Sequence, residues 1–212
     1  MSCGGILSYM KKRPKPILIG MVGLVGSGKS TVAKEIAKHL KAKVVYQDGI
    51  RLAFRRRRGS YRTAEVDRRA DALLGQALGK GKNAMDDGDA VSTRNQKRLA
   101  RLAKRYGARL VFVRVVCTPD IVFGRIVSTP RADPYFEEAH SLFQGTPRAK
   151  ATAVKLRELW RRTPLHYTWS IPRESSRWTL RRLPHRFAAV IDTSHEGWER
   201  GIASVARVIL KK

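Results

Sequence analysis

The strongest constraint on this chain is eight residues long: "GLVGSGKS", Gly23 to Ser30, between the apolar run "PILIGMV" and the helical pattern "TVAKEIAKHL". It satisfies the spacing G-x-x-x-x-G-K-[ST] through Gly23, Gly28, Lys29 and Ser30. Each residue type has a physical task. Glycines let the backbone wrap tightly enough for successive N–H groups to point inward at anionic oxygens. A helix opening there adds the positive end of its dipole. A lysine reaches terminal phosphate oxygens, and a serine hydroxyl can ligate Mg²⁺. Such a loop hangs from a buried strand and leads into a helix, and both flanks comply. Pro16 to Val22 is a continuous apolar run of strand length. Val32, Ala33, Ile36, Ala37 and Leu40 then share one helical face, with Lys34, Glu35, Lys38 and Lys41 opposite. The predicted cradle comprises Gly23, Gly26, Ser27, Gly28, Lys29, Ser30 and Thr31.

Beyond the cradle the hydrophobic period keeps switching. Lys43 to Tyr46, the short "NAMD", Arg109 to Val116 and Phe187 to Asp192 read as strands. Thr63 to Leu78, Thr93 to Tyr106, "TPDIVFGRIV" and Trp198 to Leu210 read as helices, with Thr118 a candidate cap and Pro119 in the first turn. Strands alternating with helices predict a three-layer α/β fold around a five-stranded parallel sheet. At 212 residues a single domain over 1–212 is expected. Its additions are a basic N-terminal extension (1–15) and a basic, aromatic helical lid or insert (128–186), irregular in pattern and carrying Trp160, Trp169 and Trp178.

Lys and Arg number 44 against 17 Asp and Glu, a net charge of +27. A field of that sign draws polyanions, so RNA or DNA is a candidate partner. The basic residues lie in nearly every segment, however, which equally describes a general basic background. Cys3 and Cys117 are too few for a disulfide scaffold and suit a reducing cytosol, with Cys117 expected in a buried strand. No run approaches bilayer-spanning length, so a soluble cytoplasmic protein is expected, with no membrane partner. There is no Asn-Lys-x-Asp guanine reader of a switch GTPase, and no oily strand ending in Asp-Glu of a large motor. His140, His166 and His185 lack metal-ligand spacing.

"YQDGIR" places Asp48 and Arg51 just past the second strand, at the sheet edge where α/β folds bind ligands. Two readings stand for this pair. Asp48 accepts a proton from an attacking hydroxyl while Arg51 braces phosphate, or Asp48 caps the next helix and Arg51 sits on a solvated face.

The cradle, "DGIR" about twenty residues later, and "GKNAMDDGDAVSTRNQKRLARLAKRYGARLVFVRV" together resemble the P-loop kinase group of polynucleotide 5′-kinases and its zeta-toxin-like and adenylylsulfate-kinase-like relatives. The resemblance runs from about Pro16 to Arg125 and resumes at "AAVIDTS". It implies a nucleoside-kinase-like P-loop fold using ATP and Mg²⁺. By that resemblance Lys29 and Ser30 hold phosphates and metal, Asp48 is the base for the acceptor hydroxyl, and Arg51 contacts phosphate. Asp87 aligns with the family's metal-side aspartate, although Asp86 or Asp89 can take that place in this short polar strand. Arg125, and Arg131 two residues off the family spacing, match its lid arginines. Asp192 to Ser194 lies where the family edges the adenine pocket.

The run Arg55 to Arg58 follows Asp48 directly, with Phe54 and Tyr61 beside it. In this family the segment borders the acceptor. Four arginines suit several phosphates and a salt-dependent strand contact, and the aromatics suit base stacking; a solvated charge run is the bland alternative. The expected activity is γ-phosphate transfer to a hydroxyl, with a nucleic-acid 5′-hydroxyl favoured. The alternatives are a small-molecule kinase for a nucleoside, sugar or nucleotide sugar, and a nucleic-acid-binding protein that ATP regulates without transfer. Oligomeric state is not legible.

Overall fold

The computed structural model describes residues 14–128, 145–170 and 177–211. In chain order the elements are β1 (Ile17–Val22), α1 (Lys29–Leu40), β2 (Lys43–Val45), α2 (Gln47–Arg58), α3 (Thr63–Gly79), β3 (Ala84–Asp86), α4 (Thr93–Arg105) and β4 (Arg109–Val116). They continue as α5 (Pro119–Ser128), α6 (Pro147–His166), β5 (Tyr167–Ser170), β6 (Arg177–Leu180), β7 (Ala189–Asp192), a 3₁₀ turn (Trp198–Gly201) and α7 (Ile202–Lys211). Five strands form one parallel sheet in the order β2-β3-β1-β4-β7, and β5 pairs antiparallel with β6 in a separate hairpin.

The sheet forms because its central strands are apolar on both faces, which is what a strand with helices above and below requires. Every residue of β1 is buried. Ile17, Ile19 and Met21 face the layer of α1 and α7, where Val32, Ile36, Ile202 and Ile209 pack. Leu18 and Val22 face the layer of α3 and α4, against Leu74, Leu78, Leu99 and Leu102. Full burial of each such side chain contributes roughly 1.5–3 kcal/mol before entropy, so two cores hold one sheet. The helical face of α1 is buried at the five positions its period predicts: Val32, Ala33, Ile36, Ala37 and Leu40.

The described residues between 128 and 186 include the expected helix, α6, followed by the β5–β6 hairpin. Thr146 caps α6 by accepting a bond from the Ala149 N–H at 3.2 Å, and Pro147 fills the first turn, where its missing N–H costs nothing. Pro164 falls in the last turn, and the helix ends two residues later. The helix eludes periodicity because its inward face meets two environments. Ala151 and Val154 pack on Val25 and Leu159 on Leu24, while arginines beside them face a polar cavity. Cys117 lies one residue past β4, buried with Leu24 and Val122 rather than within the strand. Arg131 and His140 lie outside the described residues. Among those described, no helix is long and apolar enough to cross a membrane.

Candidate active site

Because the five strands are parallel, the segments that follow them converge on one edge. The loop after β1 is central. Gly28 (φ 81°) starts α1 from the left-handed region that a side chain resists. A Cβ on Gly23 would lie 2.7 Å from the Val115 carbonyl oxygen, so the loop's first glycine is set by its closeness to β4. Ser27 is buried and braces the turn, donating its hydroxyl to Leu24 O at 2.8 Å and its N–H to the same oxygen at 3.2 Å. Thr193, past β7, donates to Ser27 O at 2.7 Å, which pins the cradle to the far side of the sheet.

Three neighbouring aspartates, one ending β3 and two just past it, have different surroundings. Asp86 is 1% exposed and receives the Arg98 guanidinium, the Gln47 amide at 3.0 Å and the Gly88 N–H at 3.2 Å. Its oxygens are used by the fold. Asp89 is also enclosed, accepting the Gly23 and Val91 N–H groups, each at 3.3 Å, and pairing with His166 at 3.0 Å. Asp87 differs: Ser30 Oγ donates to its Oδ2 at 2.7 Å, and its Oδ1 is buried without a hydrogen-bond partner. Burial pushes the Asp87 carboxyl above its ordinary range, against the pull of Lys29 and Ser30.

An orphaned carboxylate oxygen beside a serine hydroxyl and a lysine fits a hard divalent cation. Mg²⁺ takes one or two protein oxygens and completes its octahedron with phosphates and water. Among the described residues no three His, Cys, Asp or Glu side chains converge as a full metal cage. Asp87 and Ser30 are therefore the pair that fits Mg²⁺, and Asp86 and Asp89 are otherwise engaged.

Asp48 occupies the first turn of α2, where a negative charge suits the positive end of the helix dipole. It is 57% exposed and accepts from Arg51 Nη1 at 2.5 Å. Arg51 also reaches Gln47 Oε1 at 2.9 Å, and Gln47 in turn binds Asp86. A chain of polar contacts thus runs from Asp48 into the buried Asp86–Arg98 pair.

A cavity of about 810 Å³ joins these parts. Gly23, Lys29 and Asp87 line its donor side, and Asp48, Arg51 and Arg55 line the side under α2. Sequence reasoning missed what faces them from α6: Arg157, Arg161 and Arg162 also line this cavity. Their spacing is a helical-face signal, but it lay within a segment read as irregular. Glu158 holds Arg161 at 2.7 Å and Arg162 at 3.1 Å. Arg94 from α4 reaches the wall too, paired with Asp67 at 2.7 Å.

The arginine run divides. Arg55 enters the cavity wall, whereas Arg56, Arg57 and Arg58 are exposed at the end of α2. The aromatics beside them carry cations: Arg55 lies over Tyr61 at 5.6 Å and Arg58 over Phe54 at 5.5 Å. Arg125 is not a cavity residue. Its guanidinium donates to the Thr193 carbonyl, to Thr193 Oγ1 at 3.4 Å and to Cys117 Sγ at 3.3 Å, across the cradle from Asp48.

A phosphate cradle on the central strand, a parallel sheet ordered 2-3-1-4-7 and a polar cavity beside the cradle define the P-loop kinase fold. The AAA domain family profile matches residues 18–142, more than half of the chain, and the chain belongs to that family. The Mycobacterium tuberculosis APS kinase, solved with AMPPNP and APS, superposes with a TM-score of 0.58 at 15% identity, covering 92% of this chain and 98% of its own. A shikimate kinase from Bacteroides thetaiotaomicron superposes with a TM-score of 0.50 at 14% identity, covering 92% and 97%. At these identities the likeness is one of fold. No curated protein matches the sequence significantly.

Proposed function

We propose that this chain, acting as a single cytosolic kinase domain, transfers the γ-phosphate of ATP to the 5′-hydroxyl of a nucleic-acid strand. The observation that carries the reading is that Lys29 of the cradle and Asp48 of α2 line one cavity. Asp48 takes the proton of the acceptor hydroxyl as the acceptor oxygen bonds to the γ-phosphorus and the bond to the bridging oxygen breaks, leaving ADP. Lys29 and Arg51 meet the charge that spreads over the transferring group. Ser30 and Asp87 would hold a Mg²⁺ ion, which when bound would supply charge neutralisation to the phosphates. Arg157, Arg161 and Arg162 supply positive charge to that space from the roof.

The strand acceptor is supported by the rim. Arg94, Arg157 and Arg161 line the cavity and are exposed, and Arg56 to Arg58 are exposed on α2 between the lining residues Arg55 and Gly59, in a chain of net charge +27. A chain of phosphates leaving the cavity would meet several of them. A small-molecule acceptor is the second reading. A roofed cavity of about 810 Å³ suits a compact ligand, and the APS kinase that shares the fold was solved with AMPPNP and APS.

The deciding experiment gives γ-labelled ATP and Mg²⁺ to the protein with 5′-hydroxyl RNA, 5′-hydroxyl DNA, nucleosides and amino sugars. Label on a strand terminus is expected. Label on small acceptors alone overturns the strand reading. Bound ATP and RNA with no label anywhere favours an ATP-regulated binding protein.

A further inference from the structure

We infer that Asp89 and His166 form a strut that sets the α6 arginines against the phosphate loop, and that both are positioning residues for the site. The two side chains are 5% and 2% exposed, and His166 Nε2 lies 3.0 Å from Asp89 Oδ2. The other carboxylate oxygen accepts the N–H of Gly23, the first residue of the cradle, and the N–H of Val91, which leads into α4. His166 is the last residue of α6, one turn beyond Arg162, whose Nη1 stands 3.6 Å from the same Asp89 oxygen. Burying a carboxylate is unfavourable unless its lone pairs are satisfied, and here each oxygen is satisfied by a part of the site that must be held in register.

The neighbouring contacts tie this end of α6 to β4, to the segment after it and to the residue after β6. The His166 carbonyl accepts from Arg114 Nη2 at 3.3 Å and from the Arg181 N–H at 2.8 Å. The Tyr167 hydroxyl donates to Cys117 O at 2.9 Å and accepts the Cys117 N–H at 3.1 Å. Of these anchors Asp89 is the one bonded to the cradle. At 1.5 Å per residue, Arg157 stands about 13 Å along the axis from His166, so a tilt of about 10° at the strut moves it roughly 2 Å. Errors of ~1 Å in a positioned group lower rates by up to ~10²-fold.

The kinetic part of this inference rests on the phosphotransfer reading, so the test has an arm that needs no turnover. Hydrogen exchange in α6 is measured with and without AMPPNP for the wild type, His166→Phe and His166→Gln. AMPPNP is expected to slow exchange over 157–166 in the wild type and in His166→Gln, whose amide still donates to Asp89. In His166→Phe the nucleotide binds within about threefold of wild-type affinity, yet that protection is lost. With a working acceptor, kcat falls about 10–100-fold and the acceptor KM rises in the Phe variant, with recovery in the Gln variant. Equal protection in the Phe variant and wild type overturns the strut, as does equal loss in both variants. Should circular dichroism show that His166→Phe does not fold, Asp89→Asn takes its place, with loss of protection expected and wild-type protection overturning the proposal. Absence of transfer in every protein refutes the phosphotransfer reading and leaves the strut to be judged by exchange.

Discussion

Replacing Asp48 by Asn separates chemistry from architecture more cleanly than any other single change. Asp48 is 57% exposed and its ion pair with Arg51 is an i,i+3 contact on α2. Pairs of that kind contribute about 0.2–1 kcal/mol, and Asn keeps an oxygen for Arg51. At ~2–4 °C per kcal/mol for a domain of this size, Tm should move by less than about 4 °C. Loss of a general base costs about 10²–10⁴ in rate, equivalent to roughly 2.7–5.5 kcal/mol of barrier. The two effects differ severalfold in energy and are read by different instruments. Initial rates at saturating ATP are measured with the accepted acceptor, beside a thermal melt by circular dichroism and an AMPPNP titration. The expected result is a collapse of kcat with melting and nucleotide affinity preserved. A kcat within threefold of wild type refutes the catalytic role, and a Tm loss above about 10 °C shows that Asp48 acts through the fold.

Arg98→Met should destabilise the protein strongly, because it strips the main counter-charge from Asp86, which is 1% exposed. Breaking a buried pair costs about 3–5 kcal/mol, a large part of a typical stability of ~5–15 kcal/mol; a urea-melt loss below 1 kcal/mol would contradict this, by the same scale. Glu158→Gln tests the roof by pH. Burial resists charge on Glu158, but bonds from Arg161 and Arg162 outweigh it and hold its carboxyl below the ordinary 4.5. The folded state thus binds its proton less readily than the unfolded, so the stabilisation is complete above about 4.5 and is lost as pH falls through the lower folded value. The wild type should exceed the variant by under ~1 kcal/mol at pH 7, since the site is part-exposed, and the gap should close in acid. A gap independent of pH counts against the pairing.

What the sequence determined by itself is the cradle, the strand and helix that hold it, and the parallel sheet. Those features rest on contacts near in the chain: glycines that permit a left-handed backbone, an apolar run such as Ile17 to Val22, and a face such as Val32 to Leu40. Each leaves its mark within a dozen residues, and the strands and helices read there start and end within about two residues of those observed, apart from the last helix, which opens as a 3₁₀ turn; α2, β5 and β6 had no such reading. The tertiary structure alone distinguished the three aspartates. Asp86, Asp87 and Asp89 are close to identical in local sequence, and they separate because Arg98, Ser30 and His166 arrive from different elements. It also placed Arg125 beside Thr193 and brought Arg157, Arg161 and Arg162 over the cavity. A helical insert was legible, but the face that α6 turns inward was not, because a helix facing a charged cavity carries polar residues on its inward side, so burial and hydrophobicity no longer coincide. Local chain chemistry determines where phosphate is held; which charges surround it depends on which distant segments the fold brings to the same edge.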